Sequence, residues 1–183
     1  MVLKTRLYTV EEFELFITLP ENEDRLFELI GGRIYEVPSN PYSSKIAALI
    51  IYALIAYLKT NDIGHVTGEA GGYRVSGERY APDVAYISYA RQPELPYEEG
   101  YNPNAPDLAV EVWSPSDTDA KYRVKIANYL ATGTVVWVVN PPEKIVEMYA
   151  PGTSTTILDI NGTIDGGAVL PGFTLPVKEI FPE

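Results

Sequence analysis

The chain has 183 residues, of which 46% are hydrophobic, and its formal net charge is -11 at pH 7. This length suits one domain with a substantial core, so we expect residues 1–183 to form a single domain. The absence of cysteine excludes disulfides, a thiolate zinc site and a cysteine nucleophile. The negative charge opposes nucleic-acid binding, because proteins that bind phosphates usually present basic patches.

The amino-terminal segment predicts a helix that belongs to the mature protein. Thr9 and Glu12 have the spacing of a capping box and precede a set of apolar residues. The two early basic residues are not followed by a continuous apolar stretch or a small-residue cleavage site. We therefore expect a cytoplasmic protein.

A hairpin and an apolar helix are predicted next. FELI and RIYEV flank Gly31-Gly32, which favours a tight turn between two strands. Asn40 as N-cap and Pro41 at the first helical position predict a helix that runs to about Thr60. Its uncharged part, residues 46–58, is too short for a bilayer core of about 30 Å, which needs roughly 20 residues. We expect a helix buried on nearly all sides and no membrane partner.

The second half of the chain predicts a mixed sheet. A helix from Asp119 to Thr132, closed by Gly133, connects two strands and predicts a parallel crossover beside antiparallel hairpins. We expect an α/β fold of the mixed α+β kind, with helices flanking the sheet. Residues 93–106 predict a surface loop near one sheet edge, and Asn161-Gly162 predicts a hairpin turn. The predicted strands are HVTGE, YRV, DVAYIS (83–88), DLAVEVWS (107–114), VVWVVN (135–140) and KIVEMYA (144–150).

Two of these strands carry carboxylates in positions that point to chemistry. Alternation puts Asp107, Glu111 and Trp113 on one face of their strand, with Glu111 in the middle. A buried carboxylate there needs a cation, a metal or a water-filled cleft. Asp83 opens the preceding core strand, where clefts of such sheets usually lie. With no thiol and a single histidine (His65), these carboxylates suit Mg²⁺ or Mn²⁺ better than zinc.

The helix between the two strands supplies a candidate cation. Its apolar stripe contains Tyr122, Ile126, Tyr129 and Leu130 at spacings of three and four residues. Lys125 borders this stripe. From there a lysine can lay its aliphatic stem along the core and deliver an ammonium group to a cleft above the sheet.

Taken together, these segments resemble the Uma-type endonuclease family of the restriction-endonuclease-like PD...(D/E)xK superfamily. The resemblance covers nearly the whole chain and implies a restriction-endonuclease-like core, metal-dependent cleavage of DNA phosphodiesters and a two-fold homodimer. The matching stretches are FELIGGRIYEV, APDVAYIS, PDLAVEVWSPSDT, KIANYLATG, VVWVVNP, KIVEMY and LPGFTLPVKEIF.

The resemblance also implies a set of site residues. Asp83 matches the acidic residue of the PD motif, and Glu111 matches the (D/E) position. Trp113 stands where the motif has lysine, and a lysine from the next helix takes that role in this family, which here is Lys125. Glu28 matches an acidic position that completes the metal shell.

The implied mechanism is hydrolysis without a covalent intermediate. Asp83, Glu111 and the backbone carbonyl of Val112 would hold Mg²⁺ or Mn²⁺, and Lys125 would orient the attacking water or stabilise the transition state. One departure lies at the start of the apolar helix, where family members often carry histidine and this chain has Ser43-Ser44.

Each site residue also has a simpler interpretation. Asp83 can cap a turn, Glu111 can pair with a buried basic residue, and Glu28 can be a charge at a strand edge. Lysines beside a helix stripe are mostly solvated, and Lys121 is a rival for the role of Lys125.

Three further features favour structural roles. Asp107 is best explained as a residue that starts a strand after Pro106, and His65 as a surface or strand residue. The glycines of GEAGGYR lack the ending of a phosphate-binding loop and predict a turn.

Other functions remain open on the sequence. The charge and Trp113 favour a catalytically inactive member of the same fold that acts as a binding or regulatory module. Glycoside hydrolysis by a carboxylate pair is a third possibility, which the fourteen tyrosines permit and the family resemblance opposes.

Overall fold

The computed structural model describes residues 6–37, 40–97, 100–114 and 119–181. The helices in these ranges are α1 (Val10–Ile17), α2 (Pro41–Leu58) and α3 (Asp119–Ala131), with two short 3₁₀ helices at Pro20–Asn22 and Val177–Glu179. The strands are β1 (Phe27–Ile30), β2 (Arg33–Glu36), β3 (Gly64–Gly68), β4 (Tyr73–Val75), β5 (Glu78–Tyr80), β6 (Val84–Ser88), β7 (Leu108–Val112), β8 (Val135–Asn140), β9 (Ile145–Tyr149), β10 (Thr156–Leu158), β11 (Thr163–Asp165) and β12 (Thr174–Pro176).

Local signals in the sequence explain the first elements. The predicted capping box is present, since the Thr9 side chain accepts from the Glu12 amide and the Glu12 carboxylate accepts from the Thr9 amide. β1 and β2 form the predicted hairpin, with Ile30 opposite Arg33. Gly31 and Gly32 both have positive φ, at 58° and 69°, which is the backbone of a two-residue hairpin turn that glycine adopts without strain.

The described strands form three sheets. A six-stranded sheet has the order β10-β9-β8-β7-β6-β3, and a four-stranded sheet has the order β2-β1-β5-β4. β11 and β12 pair with each other. In the six-stranded sheet β7 and β8 are parallel and joined by α3, and the other neighbours are antiparallel. The predicted crossover and the mixed sheet flanked by helices are therefore confirmed.

The two faces of the six-stranded sheet are covered by different elements. α2 packs on the face that carries Val84, Val110 and Val112. α3 and the four-stranded sheet cover the opposite face, where Ala85 and Ala109 lie. Residues alternate between the faces along a strand, so Glu111 points toward α3.

The burial of α2 corrects the sequence prediction. Its capping is as predicted, because Asn40 caps a helix that begins with Pro41. The expectation that the helix is buried on nearly all sides is wrong, because only one stripe faces the sheet and Tyr52, on the other side, is 74% exposed. Within the described ranges α2 is also the one helix long and apolar enough to cross a membrane, judged by length and composition alone.

The prediction of a hairpin turn at Asn161-Gly162 is also wrong. The chain does turn there, but the flanking strands do not form a hairpin: β10 pairs with β9, and β11 pairs with β12. A turn dipeptide marks a reversal of the chain, and tertiary packing decides which strand each flank joins. The segment 93–106, apart from residues 98 and 99, lies along the edge strand β4 through Asn102, as predicted for a loop near a sheet edge.

Candidate active site

The strand register brings the two predicted carboxylates side by side. Val84 of β6 lies opposite Val110 of β7, so the next positions along each strand are Asp83 and Glu111. The Asp83 Oδ2 atom accepts a hydrogen bond of 2.6 Å from the backbone amide of Val112. The amide and the carbonyl of one residue in an extended strand point to the same side, so the Val112 carbonyl also faces Asp83.

Lys125 lies at the centre of this site and is only 3% exposed. Its Nζ atom donates to Glu111 Oε2 at 2.7 Å and to Glu28 Oε1 at 2.8 Å. Glu28 Oε1 also accepts from the Ala81 amide at 3.0 Å, and Glu111 Oε1 accepts from the Tyr129 hydroxyl at 2.9 Å. α3 therefore delivers a buried ammonium group between carboxylates from two different sheets.

Burial and charge shift the pKa values of these groups in opposing ways. Burial raises the pKa of Asp83 to about 6, although the Val112 amide and Lys125 act against the shift. Burial also raises the pKa of Glu111, to about 7, and Lys125 again opposes it. For Lys125 burial favours the neutral amine, but Glu111 and Glu28 outweigh burial and raise the pKa above that of a free lysine. Lys125 is therefore charged at neutral pH, and a further cation would favour the charged forms of Asp83 and Glu111.

These side chains border a small polar cavity of about 50 Å³. Such a volume holds a few water molecules or an ion with part of its hydration shell. The carboxylates and lysines on its wall are Glu28, Asp83, Glu111, Lys121 and Lys125, and its other lining residues are Val37, Asn40, Ser43, Ala81, Val112, Ser114 and Tyr122.

A wider cleft of about 630 Å³ adjoins this cavity and shares Asp83 with it. Its wall carries three more carboxylates, from Glu23, Asp24 and Glu69. Arg25 also lines the cleft, but its guanidinium group pairs with Glu36 at 2.6 Å. The approach to the site is therefore acidic.

The donor atoms present fit a hard divalent cation. Asp83, Glu111 and the Val112 carbonyl offer oxygen ligands from neighbouring backbone positions, which is the chemistry that Mg²⁺ and Mn²⁺ prefer. Within the ranges that the structure describes, no three His, Cys, Asp or Glu side chains form a metal-binding group by themselves. Backbone oxygen and water would have to complete the shell. The contacts of Glu28 with Lys125 and the Ala81 amide suit a residue that positions the lysine.

Lys121, the predicted rival of Lys125, also reaches the site but lies farther from its carboxylates. Its Nζ atom is 3.9 Å from Glu28 Oε2 and 5.2 Å from the centroid of the Tyr35 ring. Lys125 is the lysine that contacts Glu111 directly.

The remaining predicted polar residues make structural contacts elsewhere. Asp107 accepts from the Ser88 amide at 2.7 Å and pairs with Arg91 at 3.0 Å, so it links β7 to the segment after β6. The His65 Nε2 atom lies 3.0 Å from the carbonyl of Pro93, and its ring packs edge-on against Tyr89. Of the glycines of GEAGGYR, Gly68 ends β3, and Gly71 and Gly72 lie in the connection between β3 and β4.

Two residues at the site were not singled out by the sequence. The sequence pattern places Tyr129 in the apolar stripe of α3, yet its hydroxyl contacts Glu111. Its position four residues after Lys125 was the available signal, because residues at that spacing share a helix face. In the sequence Ser43 is only a departure from the family pattern, yet in the structure it borders the cavity.

The mixed sheet, the adjacent carboxylates at the ends of β6 and β7, and the lysine from the crossover helix define a restriction-endonuclease-like protein. The chain belongs to the Uma2 family, whose model is described as "Putative restriction endonuclease" and matches residues 10–178. It is also similar to the crystal structure of a putative nuclease from Anabaena variabilis, with a TM-score of 0.78 and 25% identity over 94% of this chain and 97% of that one. No curated protein gave a significant match.

Proposed function

We propose that this protein is a metal-dependent endonuclease that hydrolyses phosphodiester bonds in DNA. The observation that carries the proposal is the buried Lys125 ammonium group, held 2.7 Å from Glu111 on the strand next to Asp83. A buried lysine beside two carboxylates is a costly arrangement for stability alone, and it places one positive and two negative groups around a cavity of about 50 Å³. Membership of the Uma2 family supports the same reaction.

Each residue has a distinct role in this proposal. Asp83, Glu111 and the Val112 carbonyl would hold Mg²⁺ or Mn²⁺, and a bound metal would lower the pKa of a water molecule and neutralise charge on the phosphate. Lys125 stabilises the negative charge that develops on the phosphate, or orients the attacking water. Glu28 fixes the ammonium group from the side opposite Glu111. Water adds across the phosphodiester, and the products are a phosphomonoester and a hydroxyl group.

A second candidate, an inactive module that binds or regulates, is favoured by the acidic approach. Glu23, Asp24 and Glu69 line the cleft that leads to the site, and carboxylates repel a phosphate backbone. Trp113 points to the same alternative, because it occupies the position that the superfamily motif gives to lysine.

Metal-dependent stability distinguishes the two candidates. Millimolar Mn²⁺ or Mg²⁺ should raise the melting temperature of the wild type, because a ligand that binds only the folded state adds about 2.7 kcal/mol at a hundred times its Kd. Asp83→Ala should abolish the shift. An unchanged melting temperature in the wild type would favour the inactive module.

Cleavage of supercoiled plasmid DNA tests the role of the lysine. Lys125→Ala should lose most of the nicking activity and keep metal binding, because an ammonium group is not a metal ligand. Glu111→Ala should lose both. Lys121→Ala is the matched variant on the same helix and should nick at nearly the wild-type rate. Equal nicking by the wild type and Lys125→Ala would show that another group takes this role.

We also propose that two copies of the chain act together, because duplex DNA presents two strands to cut. The face of α2 that points away from the sheet supports an interface, since Tyr42, Tyr52 and Ile55 are apolar side chains exposed on one helix. Large apolar side chains exposed on one helix can mark an association site.

A further inference from the structure

The Ser43 hydroxyl is a buried polar group that the proposed reaction does not yet use. Ser43 is 8% exposed, and its Oγ atom has no hydrogen-bond partner among the described residues. Buried hydroxyl groups normally have partners, so an exception requires an explanation. The Trp137 Nε1 atom is the other such side-chain atom in the described ranges, but Trp137 belongs to the apolar core on the α2 face of the sheet.

The position of Ser43 suggests what its partner is. Ser43 borders both the small cavity with the carboxylates and the wider cleft that leads to it. A ligand that enters the cleft and reaches the carboxylates therefore passes Ser43. The hydroxyl can donate one hydrogen bond to such a ligand.

The start of α2 favours a negatively charged oxygen beside Ser43, whereas Glu23, Asp24 and Glu69 in the adjoining cleft oppose one. Ser43 lies in the first turn of α2, an 18-residue helix with no acidic residue in that turn, and the positive end of the helix dipole stabilises anions there. The amides of Tyr42 and Ser43 both donate to the Asn40 side chain. The helix end can therefore stabilise a bound anion through its dipole, and the Ser43 hydroxyl can donate a hydrogen bond to it.

Positive charge also lies across the cavity. Lys125 comes from α3, which packs on the opposite face of the sheet from α2. An oxyanion in the cavity would thus have the start of α2 on one side and the Lys125 ammonium group on the other. The carboxylates of Asp83 and Glu111 repel an anion unless a divalent cation neutralises them, so phosphate should bind more tightly with the metal than without it.

We propose that Ser43 and the first turn of α2 form a phosphate-binding subsite, in which the Ser43 hydroxyl donates to a non-bridging oxygen of the phosphate. The inference rests on the proposed metal-dependent function and adds a residue that binds the phosphate. The subsite binds a phosphate group and makes no contact with a base, so it does not recognise sequence.

Calorimetric titration of Mg²⁺, and then of inorganic phosphate at saturating Mg²⁺, tests the subsite. Ser43→Ala should weaken phosphate binding about 10- to 100-fold, the range for losing one hydrogen bond to a charged group. Mg²⁺ affinity should be unchanged. The melting temperature of the free variant should be equal to or above that of the wild type, because the substitution removes a buried hydroxyl that has no partner among the described residues.

The neighbouring exposed residue provides the control. Ser44→Ala removes a hydroxyl from the next position of the same turn and should leave phosphate binding unchanged. Equal phosphate affinity in Ser43→Ala and the wild type would overturn the inference, as would a wild type that binds Mg²⁺ but no phosphate. A lower melting temperature for Ser43→Ala with unchanged phosphate affinity would identify a purely structural hydroxyl.

The same titration separates this inference from the proposed function. If the wild type fails to bind Mg²⁺, the metal-dependent reaction is refuted. Phosphate binding by the metal-free wild type and by metal-free Ser43→Ala is then compared to test the role of Ser43. A loss of that binding in Ser43→Ala would uphold the subsite, and equal or absent binding in both proteins would refute it.

Discussion

Replacing Lys125 with methionine should strongly destabilise the protein, whether or not it is an enzyme. Methionine has a similar length but lacks the ammonium group that contacts Glu111 at 2.7 Å and Glu28 at 2.8 Å. Each hydrogen bond between charged groups is worth about 1.5–3 kcal/mol. Removing one member of a buried ion pair costs about 3–5 kcal/mol, because the partner is left without compensation. We therefore expect a loss of about 3–5 kcal/mol in the free energy of unfolding.

Urea unfolding of purified protein without metal measures this loss. Lys121→Met is the matched variant on the same helix and should lose less, because the Lys121 side chain is 12% exposed against 4% for Lys125 and its Nζ atom lies farther from Glu28, at 3.9 Å rather than 2.8 Å. Adding Glu28→Gln and Glu111→Gln to Lys125→Met should restore much of the stability, since both uncompensated charges are then removed. A loss below about 1 kcal/mol for Lys125→Met, in the range of a surface ion pair, would refute the buried ion-pair network.

Three further predictions concern assembly and stability. Sedimentation at micromolar concentration should show a homodimer, and a monomer would contradict the proposed pairing of two copies. Tyr129→Phe should lower the free energy of unfolding by about 1–3 kcal/mol, because Glu111 loses a buried donor, and an unchanged urea midpoint would argue against that hydrogen bond. Gly64→Ala should lower the melting temperature, because an added Cβ would clash with the Ile87 carbonyl oxygen of the neighbouring strand. An unchanged melting temperature would show that β3 can shift away from β6 to make room for the methyl group.

The sequence located most of the elements because their signals are local. The capping box at Thr9 and the glycine pair of the first hairpin act over a few residues, so they can be recognised without the fold. The strands and α3 were predicted from periodicity, and the parallel crossover followed from their order. Alternation along β7 also placed Glu111 on the face opposite Val110, as the packing confirms.

The pairing of elements and the exposure of their faces were not available from local signals. Asn161-Gly162 marks a turn, but β10 joins β9 because packing decides which strand each flank pairs with. α2 is apolar around most of its circumference, so composition predicted burial on nearly all sides. The sheet covers only one stripe of it, since a helix can contact a flat neighbour along one side only.

The same division applies to the candidate site. The family pattern named Asp83, Glu111 and Lys125 from the sequence, and their side chains do converge around one cavity. Only the tertiary structure separates Lys125 from Lys121, because both lie on the same helix flank and the difference is the distance to Glu111 and Glu28. A contact between side chains far apart in sequence depends on how sheets and helices pack, and no local pattern encodes it.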